Sequence, residues 1–246
     1  MKKLLFFSAL GAFALSATGI DAATVSAAGT LTGLTPPGWG TGNDNADLDA
    51  AGAGADGFVL FNSIPEGGNQ ANTPWNQNIV DNTPAYISAL DGSASTGTGG
   101  WANYDNVTLG GTTYNTGGIQ RPTIGQGVEA DMFTFQLAGS VPSQVILGFI
   151  VDNSDNAIWG SSNVRIEGPG AITADQNVFI DGATDLVQFN ISGGLAGETY
   201  TVYATQPPGN GGALIGGVTF DSIPEPGSAL LLAAAGLLAA TRRRRN

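Results

Sequence analysis

The 246-residue chain has no cysteine and no histidine, and only 11% of its residues are charged. Without cysteine there is no disulfide framework, thiolate zinc site, iron–sulfur cluster or thiol nucleophile. Without histidine there is no imidazole base, no proximal haem ligand and no Ser–His–Asp triad. Positive charge is scarce as well. The chain holds 8 basic against 20 acidic side chains. Six of the eight basic residues lie at the ends, as Lys2, Lys3 and Arg242 to Arg245. Between residues 24 and 223 only Arg121 and Arg165 stand against eighteen acids. Two arginines cannot build the basic surface that nucleic acid requires.

The two ends read as addresses. Lys2 and Lys3 precede the apolar run Leu4 to Leu15, and small residues follow. That order is a secretory signal peptide over residues 1–22, cut after Ala22, with Ala27 as the alternative. It implies export through the Sec translocon. At the other end stand Pro224, Glu225 and Pro226, then the apolar run 228–241, then Arg242, Arg243, Arg244 and Arg245. Residues 227–241 as a helix measure about 22 Å, short against a hydrocarbon core of about 30 Å. Snorkelling arginines and local thinning let such a transmembrane helix span. The arginines then stay cytoplasmic and the middle of the chain faces outward.

This tripartite tail resembles the PEP-CTERM sorting signal of Gram-negative bacteria. The resemblance rests on Pro224-Glu225-Pro226, the Ala/Leu-rich run and the terminal arginine cluster, and it is confined to about the last 25 residues. It implies recognition by exosortase, a membrane protease-transferase, with cleavage near Pro224–Pro226. The product would be delivered to the cell surface or the extracellular polysaccharide matrix. An ordinary tail-anchored surface protein is the competing reading of the same residues.

Between the signals, residues 23–222 are predicted to form one extracytoplasmic domain, with residues 223–246 as the sorting segment. Glycine is abundant, 38 residues, about twice its usual share. Phe133, Phe135 and Leu137 alternate with polar neighbours, as do Val187, Phe189 and Ile191, and Tyr200, Val202 and Ala204. Period-two patterns of this kind are half-buried strands. Val145 to Val151 is apolar on both faces and reads as a central strand. The last strand is expected from about Ala213 to Asp221, with Leu214, Val218 and Phe220 inward and a gap at Gly216. In the first half a strand at Gly57 to Phe61 is firm, and Ala85 to Leu90 and Tyr104 to Leu109 are weaker. Turn residues separate these runs at Gly139-Ser140, Gly168-Pro169-Gly170 and Gly193-Gly194. The fold class is all-β, an antiparallel Greek-key or jelly-roll-like β-sandwich flanked by the signal peptide and the sorting helix. Leu195 to Val202 is similar to the corner of fibronectin-type sandwiches in which a tyrosine hydroxyl ties down the turn. A plain core role for Tyr200 is the alternative.

Carboxylate pairs are the only catalytic chemistry left. Glu66, Glu129, Glu167 and Glu198 are scattered, whereas a glycoside hydrolase needs two carboxyls closely flanking a sugar. No enzyme is expected. Asn43, Asn45, Asp47 and Asp49 place oxygen at alternate positions, as calcium loops do, and Asp152 and Asp155 sit in a second oxygen-rich turn. The same residues equally suit metal-free Asx turns. Trp39, Trp75, Trp101 and Trp159 lie in Gly/Asn/Pro-rich segments. There they either stack on sugar rings or pin loops to the domain. The expected function is a non-catalytic structural or adhesive role at the surface. A carbohydrate-binding module for extracellular polysaccharide is the alternative, and a glycoside hydrolase the third.

Overall fold

The structure is a computed structural model. It describes residues 23–34, 45–61, 63–65, 79–92, 97–98, 106–121, 124–151, 161–178, 183–208 and 212–223. Among them the strands run β1 (Thr24–Leu31), β2 (Asn45–Asp47), β3 (Gly57–Leu60), β4 (Ser63–Pro65), β5 (Val80–Asn82), β6 (Ile87–Gly92) and β7 (Gly97–Thr98). They continue with β8 (Asn106–Leu109), β9 (Thr112–Thr116), β10 (Ile119–Arg121), β11 (Glu129–Leu137), β12 (Gln144–Val151) and β13 (Asn163–Glu167). The last five are β14 (Thr173–Asn177), β15 (Asp185–Ser192), β16 (Thr199–Thr205), β17 (Ala213–Ile215) and β18 (Gly217–Ile223). A single 3-10 turn at Pro169–Ala171 is the only helical element among the described residues, so the fold is all-β.

Two large antiparallel sheets carry the principal core. One has six strands in the order β1-β15-β12-β18-β3-β5, the other five in the order β14-β13-β16-β11-β6. The alternation read from the sequence places its apolar members between them. Phe133, Phe135, Tyr200 and Val202 come from the five-stranded sheet, and Leu147, Phe149, Val187, Phe189 and Phe220 from the six-stranded one. Phenylalanine rings interlock through this layer. Phe133 lies 5.4 Å from Phe61 and 6.0 Å from Phe149, and Phe149 lies 5.8 Å from Phe189, all in tilted or edge-on geometry. Each such buried ring stabilises the fold by about 1.5–3 kcal/mol through burial alone.

β12 is central, paired with β15 on one side and β18 on the other, as its two-faced apolarity predicts. The reason for that apolarity is a third layer. Phe58, Leu60, Ile150 and Leu186 project from the opposite face of the six-stranded sheet into a second core with Ala46, Leu48, Val107 and Leu109. Those partners come from the sheet β2-β8-β9-β4 and its turns, whose β2–β8 pair is parallel. The irregular first half of the chain thus covers one end of the outer face of the main sheet.

One expectation needs correction. The stretch Ala213 to Asp221 is not one strand but two, in different sheets: β17 pairs with β10, and β18 with β12 and β3. Gly216 makes the break, its N–H donating to the Ile150 carbonyl at 2.8 Å while its carbonyl accepts from Phe61 N–H at 2.9 Å. Leu214 is buried, but Ala213 and Ile215, not Leu214, join the principal core. A strand also forms where the sequence pattern signals none. β1 pairs with β15 from Thr24 to Leu31, with a bulge between Ala27 and Gly29. Its residues TVSAAGTL are small and largely exposed, so no periodicity announces it. Tertiary pairing supplies what propensity does not.

Candidate functional site

The described candidate residues fall into three groups, and each acquires its geometry from a turn or a rung. Asn45 lies on β2, and Asp47 ends it. The Asp47 carboxylate accepts the Ala50 N–H at 2.9 Å, an Asx turn closed on its own backbone. Asp49 reaches across to the β8–β9 turn, where its two oxygens accept Gly110 N–H at 2.9 Å and Gly111 N–H at 2.7 Å. Asn45 and Thr108 bond side chain to side chain, with the Asn45 Nδ2 donating to Thr108 Oγ1 at 2.8 Å. These oxygens therefore join the third layer to itself. Among the described residues no group of three or more Asp or Glu gathers in a way that could hold a metal ion. Asn43, Asp152 and Asp155 lie outside the described residues.

The glutamates separate into two settings. Glu129 and Glu167 meet on the outer face of the five-stranded sheet, at Arg165 of β13. Arg165 Nε and Nη2 donate to Glu129 Oε1 and Oε2 at 2.8 and 2.7 Å, and Nη1 donates to Glu167 Oε2 at 2.7 Å. The guanidinium lies 3.8 Å above the centre of the Tyr203 ring. The Glu129 hydrogen bonds, aided by Glu167 and against the cost of burial, hold the arginine's pKa above its ordinary value. The two carboxylates serve as acceptors of one bidentate and one single charge-assisted bond.

Glu198 belongs to the turn between β15 and β16. Its Oε2 accepts the Leu195 N–H at 2.8 Å and the Tyr200 hydroxyl at 3.0 Å. The Tyr200 ring stacks on Phe135 at 5.3 Å. The tyrosine does tie down the corner, through a carboxylate from its own turn. A comparable pair was not legible in the sequence: Tyr86, preceding β6, donates to Asp56 Oδ2 at 2.9 Å. Asp221 next to it receives Gly54 N–H at 3.0 Å and Ala55 N–H at 2.6 Å. Burial first, and then these carboxylate partners, raise both tyrosine pKa values. Glu66 lies outside the described residues, as do Trp39, Trp75, Trp101 and Trp159.

The terminal signals also fall there. Residues 1–22, Pro224, Glu225, Pro226, the run 228–241 and Arg242 to Arg245 are outside the described residues. Among the described residues no helix is long and apolar enough to cross a membrane. The last strand among the described residues, β18, runs to Ile223.

Neither the curated proteins nor the solved structures give a match to this chain. A protein-family model does match, over residues 222–245, and it is described as the PEP-CTERM protein-sorting motif. With the Pro-Glu-Pro, the apolar run and the arginine block in that order, this chain carries the sorting signal of an exosortase-processed protein destined for the cell envelope or surface.

Proposed function

We propose that the mature protein is a non-catalytic structural or adhesive component of the cell surface or extracellular matrix. The observation that carries this reading is the abutment of fold and signal. β18 ends at Ile223, Pro224 follows directly, and the sorting match spans residues 222–245. In this reading residues 1–22 direct export through the Sec translocon. The run 228–241 then anchors the chain transiently with its C-terminus cytoplasmic, until exosortase cuts near Pro224–Pro226. The body is a Greek-key or jelly-roll-like sandwich, a reading supported by connections that pass between the two large sheets from β11 to β12, β14 to β15 and β15 to β16. The non-catalytic part is supported by the acids themselves. Glu129, Glu167, Glu198, Asp49 and Asp221 spend their oxygens on backbone N–H, tyrosine or arginine donors.

A carbohydrate-binding role is the second reading. It is favoured by the polar outer face of the five-stranded sheet, where Asn163, Thr201 and Thr205 flank the Arg165–Tyr203 stack. Intact-mass measurement of surface material tests the processing: the expected chain begins near Ala23 and ends between Pro224 and Pro226. A mature form still carrying Arg242 to Arg245 would remove exosortase from the account. Incubating that surface material with the host's extracellular polysaccharide separates the two readings, since saturable binding lost in Tyr203→Ala would favour the module.

A further inference from the structure

The two tails of this chain leave the folded body at the same end. In the six-stranded sheet Thr24 is opposite Ser192, Ser192 is opposite Gln144, and Gln144 is opposite Ile223. One rung therefore holds the first residue of β1 and the last residue of β18. They are three strand spacings apart, about 14 Å at roughly 4.8 Å per step. The tethers beyond them are short. Four residues, 224–227, separate Ile223 from the apolar run, a reach of about 14 Å at most. Eight residues, 16–23, separate Thr24 from the apolar run at the N-terminus, a reach of about 28 Å. While the C-terminal run sits in a bilayer, this end of the sheet cannot be far from it.

The surface of that end agrees with such a neighbour. It is made by the loops 138–143, Ala-Gly-Ser-Val-Pro-Ser, and 193–198, Gly-Gly-Leu-Ala-Gly-Glu, which join β11 to β12 and β15 to β16. Together they carry one acid, Glu198, whose Oε2 is engaged by Leu195 N–H and the Tyr200 hydroxyl. The next acids back, Asp56 and Asp221, accept from Tyr86 and from the Gly54 and Ala55 N–H groups, and Glu225 lies in the tether. In a chain with 20 acidic residues, two loops that carry a single acid between them suit an anionic lipid surface, which repels carboxylates. Three large hydrophobic residues are exposed among the described ones: Leu195 at 48%, Ile223 at 42% and Val128 at 45%. Leu195 and Ile223 are both at this end. Val128 precedes β11 at the other, nine residues or about 30 Å along the strand from Leu137.

We infer that the end formed by loops 138–143 and 193–198 with Thr24 and Ile223 is the bilayer-contacting face of the precursor, with Leu195 and Ile223 resting at the lipid headgroup boundary. This inference rests on the sorting reading above. The opposite end, with the third layer beside it, is then the face presented outward.

The absence of cysteine makes the test direct. Full-length chain carrying the single substitution Ala196→Cys, Ser140→Cys or Val128→Cys is labelled with an environment-sensitive fluorophore. It is reconstituted into vesicles of phosphatidylethanolamine and phosphatidylglycerol containing a headgroup-nitroxide lipid. All three positions are exposed, and matching melting temperatures establish that the label leaves the fold intact. The expected result is quenching several-fold stronger at positions 196 and 140 than at 128. Equal quenching at both ends, or stronger quenching at 128, in protein that floats with the vesicles would overturn the orientation and leave the sorting reading standing. Protein that fails to float would overturn the anchor itself and the inference with it.

Discussion

The Tyr200 hydroxyl and the Leu195 N–H converge on one oxygen of Glu198, at 3.0 and 2.8 Å. The bond joins a turn to the strand it feeds, and the Tyr200 ring is fully buried against Phe135. Hydrogen bonds to a charged acceptor contribute about 1.5–3 kcal/mol. Tyr200→Phe should therefore lower stability by about 1.5–2 kcal/mol. Glu198→Ala should cost at least as much, because it leaves both donors without that acceptor. The double variant should lose less than the sum, since both changes remove the same bond. Urea midpoints of the four proteins read the cycle. Strict additivity would show that the corner is held by packing alone.

Alkali should expose the two buried tyrosines. Tyr86 and Tyr200 are held above the ordinary value of 10.0, by burial first and by the Asp56 and Glu198 carboxylates second. The unfolded chain releases these protons near pH 10, while the folded chain keeps them. Their contribution is complete below pH 10 and is lost as pH rises beyond it. Stability should fall steeply between pH 10 and about 12, and Tyr86→Phe and Tyr200→Phe should each flatten that slope. Urea titrations at half-unit pH intervals give the comparison, and unchanged slopes in both variants would contradict it.

Gly148 sits mid-strand in β12, where alanine is ordinarily the better residue. Here a Cβ would strike the Thr219 hydroxyl and come within 3.0 Å of Leu186. The clash outweighs propensity, so Gly148→Ala should destabilise by about 1–3 kcal/mol. Thr219→Ala removes the colliding atom and should recover part of that loss when combined with it. A neutral or stabilising Gly148→Ala in thermal melts would show that the neighbours yield freely.

Asp49 bonds the Gly110 and Gly111 N–H groups of the β8–β9 turn. Asp49→Ala should cost about 1 kcal/mol, equally in chelator and in millimolar calcium. Melting curves under both conditions decide between a turn clamp and a cation ligand. A calcium-dependent gain in the parent protein that Asp49→Ala abolishes would assign the 43–49 segment to the cation.

The sequence by itself determined the large strands and the address. Alternation at 133–137, 187–191 and 200–204 assigned inward faces, because a pleated strand half covered by a core has no other solution. The unbroken run at 145–151 announced a strand buried on both sides, and the tail announced its sorting signal through three segments in order. Tertiary structure decided what covers the second face of that strand. The pair Ala46 and Leu48 lies far along the chain from the pair Val107 and Leu109, and only the fold assembles them over Ile150 and Leu186. It also decided that β1 is a strand, because small exposed residues gain their order from the β15 ladder rather than from their own preferences. Tyr86 and Asp56, thirty positions apart, met for the same reason. Local periodicity records which side of a strand is dry; the partner that makes it dry, and the end at which both tails emerge, are set by pairing across the whole chain.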